Sequence, residues 1–222
     1  PTTMTIAQAR AAKDDDLIQT AGVVTARYRD NGPDDPTSYS IAIQDGEAAI
    51  LLYNVSEAVA GDTKVGDNIK ATGKFVNYYD NLELIDVSEI VPSEATFTVT
   101  PVYVDNWKTL PSWKDMDSRL ITVKGLSSPY NDMLDPTKSN NYWLWQDQGL
   151  EEFLVYINAR LGEEAIIAMK DVLDPAPYFT KSIELTGIVS FYKNVPQLLF
   201  YDAALARTID HPDVDPTAVE LK

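Results

Sequence analysis

Apolar residues recur along this chain in short runs of period two, separated by clusters of Asp, Asn, Gly and Pro, which is the pattern of strands and turns. Residues 17–28 are rich in Val and Thr and read as a first strand, with Gly22 at a point suited to a bend or bulge. Residues 39–44 alternate, placing Ile41 and Ile43 on one face, and residues 49–53 return after the hairpin signal Asp45-Gly46. Residues 69–76 and 82–91 form a further pair around the turn Tyr78-Tyr79-Asp80-Asn81. Residues 3–13 read as a short helix capped by Thr3 or Thr5, with Ile6 and Ala9–Arg10 facing inward. Residues 31–36 are a loop, and residues 56–60 a weak helix or turn between the third and fourth strands.

The same pattern then repeats. Ile43-Gln44-Asp45 before Ile50-Leu51-Leu52-Tyr53 is echoed by Trp145-Gln146-Asp147 before Phe153-Leu154-Val155-Tyr156. Ile69-Lys70-Ala71-Thr72-Gly73 is echoed by Ile183-Glu184-Leu185-Thr186-Gly187, and Asp35-Pro36-Thr37 by Asp135-Pro136-Thr137. Three echoes in one order indicate two copies of a single module. The second copy has expected strands at 120–126, 142–146, 153–157, 183–191 and 197–203, with a loop at 127–140. Residues 107–117 stand where the first copy has its leading helix. Residues 162–172 read as an amphipathic helix with Ala165, Ile166, Met169 and Val172 on one face. The expected division is a first module at 1–95, a second at 96–210 and an acidic tail at 211–222, with a linker at 92–101 too short to let the modules separate far.

Composition narrows the chemistry. Of 222 residues, 18 are basic and 34 acidic, a formal charge of −16. Residues 1–98 carry 7 basic and 16 acidic side chains, so no half has the cationic excess that grips phosphates broadly. Without cysteine there is no disulfide, thiolate metal site or cysteine nucleophile. No apolar run is long enough for a membrane-spanning segment. The chain begins at Pro1 without a basic and apolar leader, which leads us to expect a processed or trimmed product. His211, the sole histidine, lies in the acidic tail, no phosphate-cradling glycine loop is present, and no pair among the many carboxylates is singled out. The acids at 14–16 and 34–35 lack the alternate spacing of a calcium loop and read as solvated. The expectation is a non-enzymatic chain with no cofactor and no metal.

Five strands in this order, with a helix or loop between the third and fourth, describe an oligonucleotide/oligosaccharide-binding (OB) barrel. The fold class expected is therefore all-β: two tandem five-stranded OB-like barrels with short accessory helices. The wording Gly22-Val23-Val24-Thr25, Ile43-Gln44-Asp45-Gly46, and Val65-Gly66-Asp67-Asn68-Ile69 running into Thr72-Gly73 resembles the OB modules of bacterial secreted nucleases and cell-surface lipoproteins. The resemblance covers most of residues 17–91; the second copy has Phe179-Thr180-Lys181-Ser182 where Val-Gly-Asp would stand. It implies an extracytoplasmic location, periplasmic or at the cell surface, and is compatible with a lipid anchor on a longer precursor. It implies no catalytic residue. The Gln-Asp-Gly and Val-Gly-Asp motifs read as turn chemistry.

An OB barrel binds on the face of its second and third strands and on the loops beside it. The residues that suit single-stranded nucleic acid there, aromatics for bases and cations for the backbone, are Arg27, Tyr28, Arg29, Tyr39, Tyr78 and Tyr79 in the first copy. In the second they are Tyr130, Lys138, Tyr142, Tyr192 and Lys193. Asp30, Asp34, Asp35, Asp132 and Asp135 in the same loops oppose phosphate. By the repeat, Trp143 and Trp145 replace Ile41 and Ile43 and are expected in the core; exposed, they would form a sugar-stacking platform. Trp107 and Trp113 are expected to plug a barrel end or the module interface. The partners left open are single-stranded nucleic acid, an uncharged glycan, another surface protein, or none in the case of a structural spacer.

Overall fold

A computed structural model describes residues 2–30, 37–46, 48–110, 112–147, 150–173 and 181–210. The loop at 31–36 with Asp34 and Asp35, Phe179 and Thr180, and the tail at 211–222 with His211 lie outside the described residues.

The first barrel is built from β1 (Leu17–Arg29), β2 (Tyr39–Gln44), β3 (Ala49–Val55), β4 (Asn68–Tyr78) and β5 (Asn81–Pro92). The strands close in the order β1-β2-β3-β5-β4, with only β3 and β5 parallel. β1 is long enough to serve two neighbours. Its first half pairs with β4 and its second with β2, the changeover lying at Val23. Gly22 stands at that bend because a Cβ there would come within 2.9 Å of the Gln44 backbone. Thr5 caps α1 (Ile6–Ala9), receiving the Gln8 amide while the Gln8 side chain receives that of Thr5. The helix is shorter than the sequence pattern suggests, yet Ile6 and Ala9 are fully buried as expected. α2 (Glu57–Ala60) joins β3 to β4.

The second barrel repeats the topology with β7 (Leu120–Ser127), β8 (Asn140–Gln146), β9 (Glu151–Ile157), β10 (Lys181–Tyr192) and β11 (Val195–Leu199). Its order is β7-β8-β9-β11-β10, closed by β10 against β7, again with one parallel pair, β9–β11. The expected amphipathic helix is α3 (Glu163–Leu173), burying Ile166, Met169 and Leu173. Gly187 stands where Gly73 stands in the first copy; a Cβ on it would be 2.3 Å from the Leu199 carbonyl oxygen. Two strands lie outside the repeat and were not foreseen: β6 (Val102–Val104), parallel to β7, and β12 (Ala206–Asp210), on the free side of β10. Residues 107–109 and 114–116 are short 3-10 turns.

The chain is therefore all-β, two tandem OB-like barrels. Each has its own apolar filling, Ile41, Ile43, Ile50, Leu52 and Leu84 in the first and Ile121, Val123, Leu144, Phe153 and Val155 in the second. The outward side chains Ala26, Tyr28, Ala42 and Leu51 of the first barrel join the second barrel's apolar cluster. Tyr28 stacks on Tyr201 with ring centroids 5.1 Å apart. Gln44 accepts the Leu120 amide at 3.3 Å, so the repeated Gln-Asp motif joins the barrels as well as turning a hairpin. Its counterpart Gln146 accepts the Trp107 amide at 2.9 Å and donates to the Val104 carbonyl, pinning the lead-in segment. Gly46 takes the expected positive φ, 101°, and Asp67 accepts the Lys64 amide within its own turn. No helix among the described residues is long and apolar enough to cross a membrane.

Candidate ligand-binding sites

Alternation along β8 settles which aromatics face outward. Tyr142, Leu144 and Gln146 are buried, whereas Trp143 and Trp145 between them are partly exposed. This corrects the expected core position of the two tryptophans. The repeat aligns the motifs in sequence, but a one-residue difference in register moves a whole set of side chains to the other face. Tyr142 is corrected in the opposite sense. It is 1% exposed, and its hydroxyl donates to Ser127 Oγ at 2.7 Å, so its ring fills the barrel and offers no ligand a face.

The outer face of the second barrel thus carries an aromatic patch. Tyr130, 79% exposed, lies 6.0 Å from the Trp145 ring, and Trp145 Nε1 donates to Glu152 at 2.8 Å. Trp143 and Tyr130 also line a hollow of about 370 Å³ with Asn131, Asp132, Asn141 and Lys138. Met133 and Leu150 nearby in sequence are strongly exposed. Lys138 is tied to Asp135 at 3.1 Å and Lys108 to Glu151 at 3.0 Å, so these cations are already matched by acids. The hydroxyl and amide of Thr137, with Lys138, hold the Asp135 carboxyl down at about 2. The equivalent face of the first barrel is not open, because Ala42 on β2 and Leu51 on β3 pack against the second barrel.

The second site is a cleft of about 720 Å³ where the barrels meet. The two β-hairpins between the last strands of each barrel border it, and they are built alike. Tyr79 and Asp80 have positive φ, as do Lys193 and Asn194, the signature of a two-residue type I′ turn. Asn81 locks the hairpins together, accepting the Phe191 amide at 2.9 Å and donating to its carbonyl at 3.2 Å. Tyr78 and Tyr192, each 59% exposed, stand on the lining, with Tyr28, Tyr53 and Tyr156 deeper.

Three buried acids enter this cleft. Asp30 accepts from Ser40 at 2.7 Å and lies 3.5 Å from Arg160, which also donates to the Tyr53 hydroxyl. Asp117 accepts the Leu82 amide at 2.9 Å and pairs with Arg10 at 3.4 Å, while its Oδ1 has no hydrogen-bond partner among the described residues. Glu83 is 8% exposed and has neither a hydrogen bond nor an ion pair among the described residues. Burial, followed by repulsion from Asp117 and Asp30, pushes its carboxyl up to about 8. Burial also raises Asp117 to about 7, against the pull of the Leu82 amide and Arg10. The Tyr28 hydroxyl is raised by burial and by Asp30 and Glu83.

The remaining sequence candidates divide by barrel end. Arg27, Arg29 and Tyr39 do meet, with guanidinium carbons 4.0 and 5.0 Å from the Tyr39 ring centre. Each is already partly engaged, however: Arg27 donates to the Gly61 carbonyl at 3.0 Å, while its buried Nε has no partner among the described residues, and Arg29 donates to the Thr37 carbonyl and pairs with Glu57 at 3.9 Å. They close the α2 end of the barrel. Tyr28 is 8% exposed against Tyr201 and presents no open platform. Tyr79, 77% exposed, packs edge-on to Tyr78, and Lys193 covers Tyr192 at 5.2 Å. Glu83, Asp117 and Arg160 escaped the sequence reading, and Asp30 entered it only as a loop acid opposing phosphate. No sequence signal set Glu83 apart, because β5 also carries Asp86, Ser88 and Glu89.

No family model matches the chain, and no curated protein does. Among solved structures it is similar to the hypothetical protein YgiW from E. coli, with 17% identity over 42% of this chain and 91% of that one, at a TM-score of 0.34. A murine DNA-binding protein solved with double-stranded DNA aligns at 11% identity over 88% of this chain and 100% of that one, TM-score 0.42. A replication protein A heterotrimer bound to single-stranded DNA aligns at 9% identity over 92% of this chain and 51% of that one, TM-score 0.38. At such scores the barrel assignment rests on strand order and pairing direction, which both copies share.

Proposed function

We propose that this chain is a non-catalytic binding protein that uses the outer β8–β9 face of its second barrel to hold a ligand by stacking. The observation that carries this reading is the open cluster of Tyr130, Trp143 and Trp145 on the face that OB barrels use for binding, beside the polar hollow of the preceding loop. Its ligand is an uncharged oligosaccharide. Aromatic rings with Asn141 and Asp132 supply apolar contact and hydrogen bonds for hydroxyls, Asn131 holds the Trp143 backbone by bonds of 2.9 and 2.7 Å, and the ion-paired lysines and the net charge of −16 disfavour a polyanion. The extracytoplasmic placement of this function rests on the resemblance of residues 17–91 to modules of bacterial secreted nucleases and surface lipoproteins.

Single-stranded nucleic acid is the second reading, supported by the same aromatics, since every base has a face to stack. Tryptophan fluorescence of the whole chain, titrated with neutral hexasaccharides and with a single-stranded oligonucleotide at low and physiological salt, separates the two. Salt-insensitive quenching by a sugar supports the first reading. Binding of the oligonucleotide that collapses with salt replaces it with the second. No response to either overturns both.

A further inference from the structure

The cleft between the barrels adjoins the stacking face, with Asn141 lining both hollows and Leu154 paired with Trp143, but its chemistry is different. Tyr53, Tyr78, Tyr156 and Tyr192 line it, with Tyr28, stacked on Tyr201, behind them. The rest of the lining is mixed: apolar walls from Leu51, Val76 and Ile85 on one barrel to Leu154, Ile188 and Leu199 on the other, interspersed with polar groups such as Asn81, Asn158, Arg160 and Gln197. A volume of about 720 Å³ is that of a small-molecule pocket.

The three carboxylates in it are not equivalent. Asp30 has Arg160, and Asp117 has Arg10. Glu83 has no cation and no hydrogen-bond donor among the described residues, although it is more than nine-tenths buried. It projects from the face of β5 that also carries Asn81 and Ile85, both lining residues. An unpaired acid is costly in such a place unless something brings the complementary charge. Aromatic faces and a carboxylate together select an organic cation, because ring quadrupoles attract positive charge most strongly where water is excluded. We infer that the inter-barrel cleft binds a small alkylated ammonium compound, its cationic head against Glu83 and the tyrosine rings and its alkyl part along the apolar walls.

Binding then has a pH signature. At neutral pH burial and the neighbouring acids hold Glu83 protonated. A permanently charged ligand favours the carboxylate, so it displaces that proton, and its affinity rises as pH climbs towards 8. The other groups facing Glu83 are Asp30, Asp117, Tyr28 and Tyr53, with Arg160 and Arg10 beyond them.

The test uses calorimetry on the full chain with choline and with its neutral carbon isostere, 3,3-dimethylbutan-1-ol, in buffers of different ionisation heat. Choline is expected to bind and to release a proton at pH 7, and the isostere to bind at least about tenfold more weakly, the scale of a desolvated cation–π contact. Glu83→Gln is expected to lower choline affinity about tenfold or more and to abolish proton release. Tyr192→Ala, at an exposed position, is expected to weaken it several-fold. Trp145→Ala leaves choline binding unchanged, which keeps this site distinct from the stacking face. Equal binding of choline and the isostere, an unaltered Glu83→Gln variant, or no heat with choline at pH 7 and 8 overturns the inference.

Discussion

Replacing Glu83 by Gln is expected to stabilise this protein, increasingly so as pH rises. The side chain sits 92% buried by its 8% residual exposure, between β3 and β4 and against the second barrel, with Asp117 and Asp30 as like-charged neighbours. Its carboxyl rises from an ordinary 4.5 to about 8 in the folded chain. Between those values the folded state holds a proton that the unfolded state has lost, so stability falls as pH increases. The slope is about 1.4 kcal/mol per pH unit for one group, which gives about 5 kcal/mol at most across the window. Part of the rise is shared with Asp117, itself lifted to about 7, so the two acids act as one repelling unit. Gln keeps the shape and removes the charge. Urea denaturation of both proteins, followed by tryptophan fluorescence at each unit from pH 5 to pH 9, measures the effect. The two are expected to match near pH 5 and to diverge to several kcal/mol by pH 8, the variant being the more stable. Parallel curves for the two proteins refute the burial and repulsion argument.

Three further substitutions probe other parts of the account. Asn81→Ala removes both bonds to the Phe191 backbone, and leaving those groups unpaired is expected to cost about 2 kcal/mol and to raise hydrogen exchange in both hairpins. Tyr142→Phe loses the bond to Ser127 and is expected to cost about 1 kcal/mol by urea denaturation without altering ligand binding. Gly187→Ala puts a methyl 2.3 Å from the Leu199 carbonyl, so it is expected to lower the thermal midpoint by an amount corresponding to about 2 kcal/mol or more.

The tandem architecture was legible because each barrel is specified by local signals. Alternation marks the strands, Asp-Gly and Val-Gly-Asp mark turns, and Thr-Gly marks the crossing where no Cβ fits. Two things were not legible, for one reason: period two separates faces without saying what covers them. Tyr28, Leu51 and Glu83 lie on the outward side of the first barrel, which in a lone barrel is solvent and here is the second barrel. Trp143 and Trp145 were assigned by motif alignment to the positions of Ile41 and Ile43. The structure buries Tyr142 and Leu144 in their place, and only the pairing of Trp143 with Leu154 and Leu144 with Phe153 sets that register. β6 and β12 were missed because each gains its stability by adding an edge to a sheet formed elsewhere in the chain.

The central claim is that Tyr130, Trp143 and Trp145 form the ligand-holding face. Its most direct test is the binding of neutral hexasaccharides, measured by calorimetry, to the native chain and to Trp145→Ala. The account predicts salt-insensitive binding by the native chain and a loss of about tenfold or more in the variant, with unchanged thermal stability of the first barrel. Sugar binding that survives Trp145→Ala, or its absence from the native chain, contradicts it.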